Sequence, residues 1–159
     1  MPNPARLHYV EFDNQYAVAA VKMWRESKQR AIGIEEIHSF EDHLYFLNEI
    51  LAKENQIYLA IIEGSDDVAG LIATDGTWVN QLYVHNDFQR MGIGTKLLEF
   101  AKGISSGRLR LYTFEVNCSA QAFYENHGFK LLRRGNDNEE QLPDMLYEWR
   151  EKDGLKNEL

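Results

Sequence analysis

The sequence has a single cysteine, Cys118, in 159 residues. One thiol excludes an internal disulfide and any thiolate cage for zinc, and no His/Asp/Glu grouping has a metal-ligand spacing, so no metal is expected. Long apolar runs are also missing: no stretch approaches the roughly 18 uninterrupted apolar residues of a membrane-crossing helix. Positive charge is in deficit, with 17 Lys and Arg against 25 Asp and Glu, a formal charge of −8. That balance argues against a nucleic-acid binder, which needs a basic face. It suits a cationic partner drawn by a negative field, although solubility alone would account for it. The opening Met1-Pro2-Asn3-Pro4 lacks the basic and apolar regions of an export signal, so a cytoplasmic protein with no membrane partner is expected. There is no internal repeat, linker or low-complexity stretch.

What is present fits one domain over residues 1–150, followed by a polar tail at 151–159. Residues 6–12 alternate as a first strand. Asp13 or Asn14 can cap the helix that follows, where Ala17, Ala20, Val21 and Trp24 share a face until about Arg30. Ser39 is a second cap candidate, with Asp42 three residues on, ahead of the stripe Phe40, Leu44, Leu47 and Leu51. Residues 57–63 and 68–74 read as strands. Asp75-Gly76 is a hairpin signal leading into the strand 77–84. A helix from Ile93, a strand at 109–116, a helix to about His127 and strands at 129–133 and 145–150 complete the chain. Gly128 stands where a left-handed helix end is wanted. The order β-α-α-β-β-β-α-β-α-β-β predicts an α/β (α+β) domain, its mostly antiparallel sheet containing one parallel pair joined by a crossover helix.

The chain is organised around residues 81–98. Val79, Leu82 and Val84 alternate up to Asn86-Asp87; from Ile93 the period becomes helical through Leu97, Phe100, Ala101 and Ile104. Between them Gly92 and Gly94 lack a Cβ, so an anionic group can approach the backbone. The first amides of the helix have no internal partner, and its dipole adds partial positive charge, the combination that binds phosphates. Arg90 and Lys96 could add charge at the rim. A tight turn would also use such glycines.

Gln89-Arg90-Met91-Gly92-Ile93-Gly94 resembles the Q/R-x-x-G-x-G/A signature of the GCN5-related N-acetyltransferases (GNATs), whose loop holds the pyrophosphate of coenzyme A. Residues 112–117 and 120–129 (YTFEVN and AQAFYENHGF) look like that family's second half. The resemblance is specific over about residues 68–129. It implies the GNAT fold with a splayed parallel strand pair, acetyl-CoA as co-substrate, and an amine acceptor. It implies further that the backbone of Leu82, Tyr83 and Val84 pairs with pantetheine, that Gln89, Arg90, Met91, Gly92, Ile93, Gly94 and Thr95 cradle the pyrophosphate, and that Asn117 stands at the cleft. Asn117 also suits an N-cap.

By the same resemblance Tyr124 is the acid that protonates the leaving thiolate. A phenol near pKa 10 is protonated at neutral pH, as that role requires. Alone, its stripe with Ala120, Phe123 and His127 would read as core. Relatives carry a glutamate early on the strand after the hairpin, where this chain has Trp78, Val79, Asn80 and Gln81. Substitute carboxylates are Glu35 and Glu36, with His38, between the first two helices, and Glu139, Glu140 and Asp144 near the end. Glu36 and Glu140 are the expected catalytic pair, with a solvated surface as the alternative for each. Glu35 and Glu36 could instead bind a cationic substrate. Cys118 could form an acetyl-cysteine if His127 approached it; otherwise it is a small buried residue. His85 reads as a turn or coenzyme-rim residue.

The expected function is acetyl transfer from acetyl-CoA to a primary amine by direct attack in a ternary complex. The alternatives are a catalytically silent acyl-CoA sensor or scaffold and a transferase for longer acyl groups. Edge strands near the C-terminus could pair two subunits as a homodimer.

Overall fold

The structure is a computed structural model, and it describes residues 6–152. The opening Met1-Pro2-Asn3-Pro4 and residues 153–159 of the expected tail lie outside the described residues. Among the described residues seven strands are formed: β1 (Leu7–Glu11), β2 (Gln56–Ile62), β3 (Val68–Thr74), β4 (Val79–Val84), β5 (Arg108–Phe114), β6 (Lys130–Gly135) and β7 (Asp144–Arg150). The helices are α1 (Ala17–Ile32), α2 (Phe40–Tyr45), α3 (Ala52–Glu54), α4 (Ile93–Ile104) and α5 (Cys118–Asn126), with a π-helical stretch, Phe46–Leu51, joining α2 to α3. The order of elements is the one the periodicities predict; the π-helical stretch is not.

Local chemistry places the ends. Asp13 accepts from the Gln15 amide, Ser39 from Asp42, and Asn117 from Ala120. α1 runs two residues past Arg30, to Ile32, because Gly33 is the first residue that takes the left-handed conformation (φ 76°) and returns its amide to the Gln29 carbonyl.

β1-β2-β3-β4 form an antiparallel sheet, covered on both faces. Ala20, Val21 and Trp24 of α1 bury against Leu59, Ile61 and Leu71 on one side. Ile93, Leu97, Leu98 and Ala101 of α4 bury against Ala69, Ile72 and Val79 on the other. Each such side chain contributes about 1.5–3 kcal/mol by leaving water. The fit is tight at Gly70, where a Cβ would stand 2.7 Å from Ile93 Cγ2.

A second sheet has the order β5-β7-β6, so the last strand inserts between its two predecessors. Leu109, Leu111, Met145 and Tyr147 join the α4 core from one face. The two sheets touch through one parallel bridge, Trp78 with Arg110, supported by the Arg110 amide donating to the Thr77 carbonyl at 3.0 Å. Beyond it, β4 and β5 part.

Candidate active site

β4 borders the gap, and alternate residues turn their backbone groups away from β3. The His85 amide donates to the Ala69 carbonyl at 2.7 Å, and the register pairs Val84 with Gly70 and Tyr83 with Leu71. Antiparallel ladders alternate, so Tyr83, two residues before His85, also turns its amide and carbonyl to β3. Leu82 and Val84 turn theirs to the gap. Of the three residues expected to pair with pantetheine through the backbone, Leu82 and Val84 therefore turn groups to the gap, whereas the backbone of Tyr83 is turned to Leu71 of β3. The Val84 carbonyl already accepts from Ser27 Oγ at 3.2 Å and Gln89 Nε2 at 3.4 Å.

The loop after β4 ends at an uncapped helix. Gly92 is the N-cap of α4, has φ 81°, and no side chain caps this end. The first helical bond is from the Lys96 amide to the Gly92 carbonyl, leaving the amides of Ile93, Gly94 and Thr95 ahead of it. Gln89, Arg90, Met91 and Gly92 are exposed, and nothing lies within 4 Å of where a Gly92 Cβ would be. This combination fits a pyrophosphate. Gly94 has a different reason to be glycine: its Cβ would meet the Phe123 ring at 3.1 Å, so it sets the approach of α5 to α4. The Lys96 ammonium sits 5.7 Å from the Tyr9 ring centroid, over β1 rather than at the loop.

Tyr124 rises from α5, packed by Phe123, Phe129 and Tyr147, and is 7 % exposed. Its hydroxyl has no hydrogen-bond partner among the described residues. Burial, then the neighbouring Tyr83, push its pKa well above the ordinary phenol value. Tyr83 belongs to the opposite face of the sheet, stacked on Trp24 at 5.5 Å. The two phenols thus influence each other across the place where β4 and β5 separate.

Glu36 and Glu140, 104 positions apart in the sequence, meet at Lys28 of α1. Its ammonium lies 2.6 Å from Glu140 Oε2 and 3.4 Å from Glu36 Oε2. The carboxylate side chains are 6 % and 9 % exposed, respectively for Glu36 and Glu140. Burial opposes ionisation of Glu36, but Lys28, the His38 amide and His43 outweigh it and hold the pKa below the usual glutamate value. For Lys28, burial likewise opposes the charge, while Glu140, Tyr83 and Glu36 leave its pKa raised. Glu36 Oε2 is buried with no hydrogen-bond donor in proper geometry. Glu36 is therefore held ionised, and Lys28 partly neutralises both carboxylates.

Two ties hold the 136–143 loop against the first half of the chain: Lys28 with Glu140, and His38 Nε2 with Glu139 Oε2 at 2.8 Å. Asn138 braces the loop from within, its amide donating to the Leu142 carbonyl and to Asp144 Oδ2.

The acetyltransferase (GNAT) domain model matches residues 51–131, half of the chain. The protein belongs to the GNAT family. Peptidyl-lysine N-acetyltransferase YjaB of Salmonella typhimurium is 27% identical over 119 residues, 72% of this chain and 77% of that relative. Among solved structures, a GNAT-family acetyltransferase from Staphylococcus aureus Mu50 superposes with a TM-score of 0.72 at 21% identity, over 92% of this chain and 100% of that one. Apo YjaB from Escherichia coli gives 0.70 at 19% identity, over 92% and 99%. A PaiA N-acetyltransferase from Thermoplasma acidophilum, solved with coenzyme A, gives 0.69 at 19% identity, over 91% and 99%.

The other site candidates of this GNAT chain fall into place by geometry. Asn117 caps α5 through its side-chain oxygen. His85 is a turn residue, its Nδ1 accepting from the Asp87 amide at 3.0 Å. Cys118 is exposed at the start of α5 rather than buried. His127 lies past the other end of that helix, roughly 13 Å away along its axis, so it cannot activate the thiol. The His127 ring instead donates from Nδ1 to the Phe123 carbonyl at 2.7 Å, leaving Nε2 to accept from the Thr95 hydroxyl at 3.0 Å. Glu35 is exposed beside Glu36. Among the described residues no group of three or more His, Cys, Asp or Glu could hold a metal ion. Lys28 was missed from sequence. Its signal is positional: it extends the stripe of Ala17, Ala20, Val21 and Trp24 by one turn, and a lysine on a buried stripe needs partners.

Proposed function

We propose that the protein transfers the acetyl group of acetyl-CoA to a primary amine by direct attack in a ternary complex. The observation that carries this reading is the parted β4–β5 pair, with backbone groups of Leu82 and Val84 turned into the gap; the buried Tyr124, whose electrostatics feel Tyr83 of β4, supports it. Pantetheine would lie along β4, its pyrophosphate against the amides at the start of α4. A β4 amide aimed at the thioester oxygen would supply about 3–4 kcal/mol of transition-state stabilisation. Tyr124, with its proton held tightly, would deliver it to the departing thiolate. Glu36 and Glu140 would draw the cationic amine towards the gap, its proton leaving to water. A lysine side chain, the acceptor named for the Salmonella relative, falls within this class. We place the protein in the cytoplasm, and its exposed β6 edge suits pairing with a second copy.

The test is coenzyme A thiol release from acetyl-CoA over a broad amine panel, with Tyr124→Phe alongside. Amine-dependent release that falls at least tenfold in the variant, about 1.4 kcal/mol of barrier, is the expected result. Release unchanged by the substitution removes Tyr124 from the mechanism. The second reading, a silent acyl-CoA sensor, is favoured by the pairing of both expected catalytic carboxylates, Glu36 and Glu140, with Lys28. Saturable acetyl-CoA binding without release for any amine would select it.

A further inference from the structure

Strand alternation sends Leu109, Leu111, Met145 and Tyr147 to the α4 core and turns Tyr112, Phe114, Asp144 and Leu146 to the other face of the second sheet. On that face, beneath the start of the 136–143 loop, lies a cavity of about 340 Å³ lined by Tyr112, Phe114, Arg133, Asp137, Asn138 and Asp144. β5 is a wall both of this cavity and of the gap beside β4.

The cavity holds a buried carboxylate that no cation pairs with among the described residues. Asp144 is 7 % exposed, and its Oδ2 accepts only from the neutral Asn138 amide, at 2.9 Å. No ion pair reaches it among the described residues. Arg133, the one cation in the lining, directs Nη2 to the Tyr112 hydroxyl at 3.2 Å. With Asp137 and Asp144 against Arg133, the lining carries a formal charge of −2 + 1 = −1. Lys28 already answers Glu36 and Glu140; among the described residues no cation pairs with Asp144. A buried carboxylate calls for a cation, and the lining favours one with an apolar stem: Tyr112, half exposed and stacked on Trp78 at 5.6 Å, gives it aromatic surface.

The amine that attacks a thioester must be neutral, whereas a carboxylate partner keeps an amine protonated. Asp144 is therefore suited to a group other than the one that reacts. We infer that the acceptor carries a second, permanently protonated group, as in an α,ω-diamine or an aminoguanidine, and that this cavity holds that group against Asp144. The inference rests on the acetyl-transfer reading for the role of the cavity, and on the geometry of Asp144 for the ligand's charge.

The experiment compares 1,5-diaminopentane with 1-aminopentane in the thiol-release assay, in the wild type, Asp144→Asn and Asp137→Asn. The wild type is expected to prefer the diamine at least tenfold in kcat/KM. Asp144→Asn, which can still accept from Asn138, should bring the ratio close to one and leave the monoamine rate within twofold. Asp137→Asn, on an exposed loop position, should lower the ratio less and serves if Asp144→Asn folds poorly. Equal use of the two amines by the wild type, or a ratio that neither variant changes, overturns the inference. Calorimetric titration of 1,5-diaminopentane separates this from failure of the reaction. Binding weakened at least tenfold by Asp144→Asn without turnover keeps the cavity's ligand and sinks acetyl transfer; no saturable diamine binding, with no diamine preference, sinks the cavity.

Discussion

β3, in the first sheet, is buried at every position; β6, in the second, is exposed at every position. The difference follows from what covers each sheet. The first lies between α1 and α4 and closes two cores, one on each face. The second shares only the α4 core, and its other face bears the cavity beside Asp144 and the arginines and carboxylates around it. Apolar burial is thus concentrated on the first sheet, while the second leaves a strand and one face to polar and charged side chains. The gap between β4 and β5 lies at their seam: its β4 side is made of backbone fixed by a fully paired sheet. Tyr124 stands on α5, a helix that packs on both sheets' common core.

The widest separation should come from truncating one leucine in each sheet. Leu71→Ala, at 0 % exposure, is expected to cost about 2–5 kcal/mol, whereas Leu132→Ala in β6, at 47 %, should stay within about 0.5 kcal/mol in urea unfolding. Comparable losses at the two positions would mean that β6 is covered in solution, which would support a dimer through that edge.

Acid should next unsettle the covered half. Burial, with Arg25, Lys28 and His38 nearby, lowers the His43 pKa to about 4 against the pull of Glu36. A histidine depressed in the fold contributes stability that is complete above its unfolded value, about 6.5, and is lost as pH falls towards the folded value. Its contribution at neutral pH is about 3 kcal/mol, of which about 2 kcal/mol should be gone by pH 5. Carboxylates lowered in the fold, such as Glu36, add their own loss only at more acid pH, below their unfolded value. Urea midpoints at pH 7 and pH 5 should therefore differ in the wild type and much less in His43→Gln.

A smaller effect tests the seam. Asn117→Ala should cost about 1 kcal/mol as a lost cap, and Asn117→Asp should restore both stability and acetyl-CoA affinity. Stability restored without affinity would give the Asn117 amide a direct place in the cleft.

Much of this was legible in the residues, because the information is local. Alternation at Val79, Leu82 and Val84 marks a strand. Asp75-Gly76 marks its hairpin, and the glycines before Ile93 mark a helix start open to an anion. Ser39, Asn117 and Gly128 sit where helix ends need a donor's partner or a left-handed residue. Tyr124 was identifiable only through its motif, since its helical stripe would equally describe a core aromatic.

Charge pairing across the chain was not legible. Glu36 and Glu140 looked like two solvated acids until α1 brought Lys28 between them, and Asp144 looked like one more acid until β7 carried it to a wall where no cation pairs with it among the described residues. The sequence by itself determined the elements, their order and the phosphate-binding turn, because helix and strand periods and cap chemistry act over a few residues. Tertiary structure alone decided that β7 enters between β5 and β6, that β4 and β5 separate after one bridge, and which carboxylates find a counter-charge, because those outcomes depend on contacts among residues tens to more than a hundred positions apart.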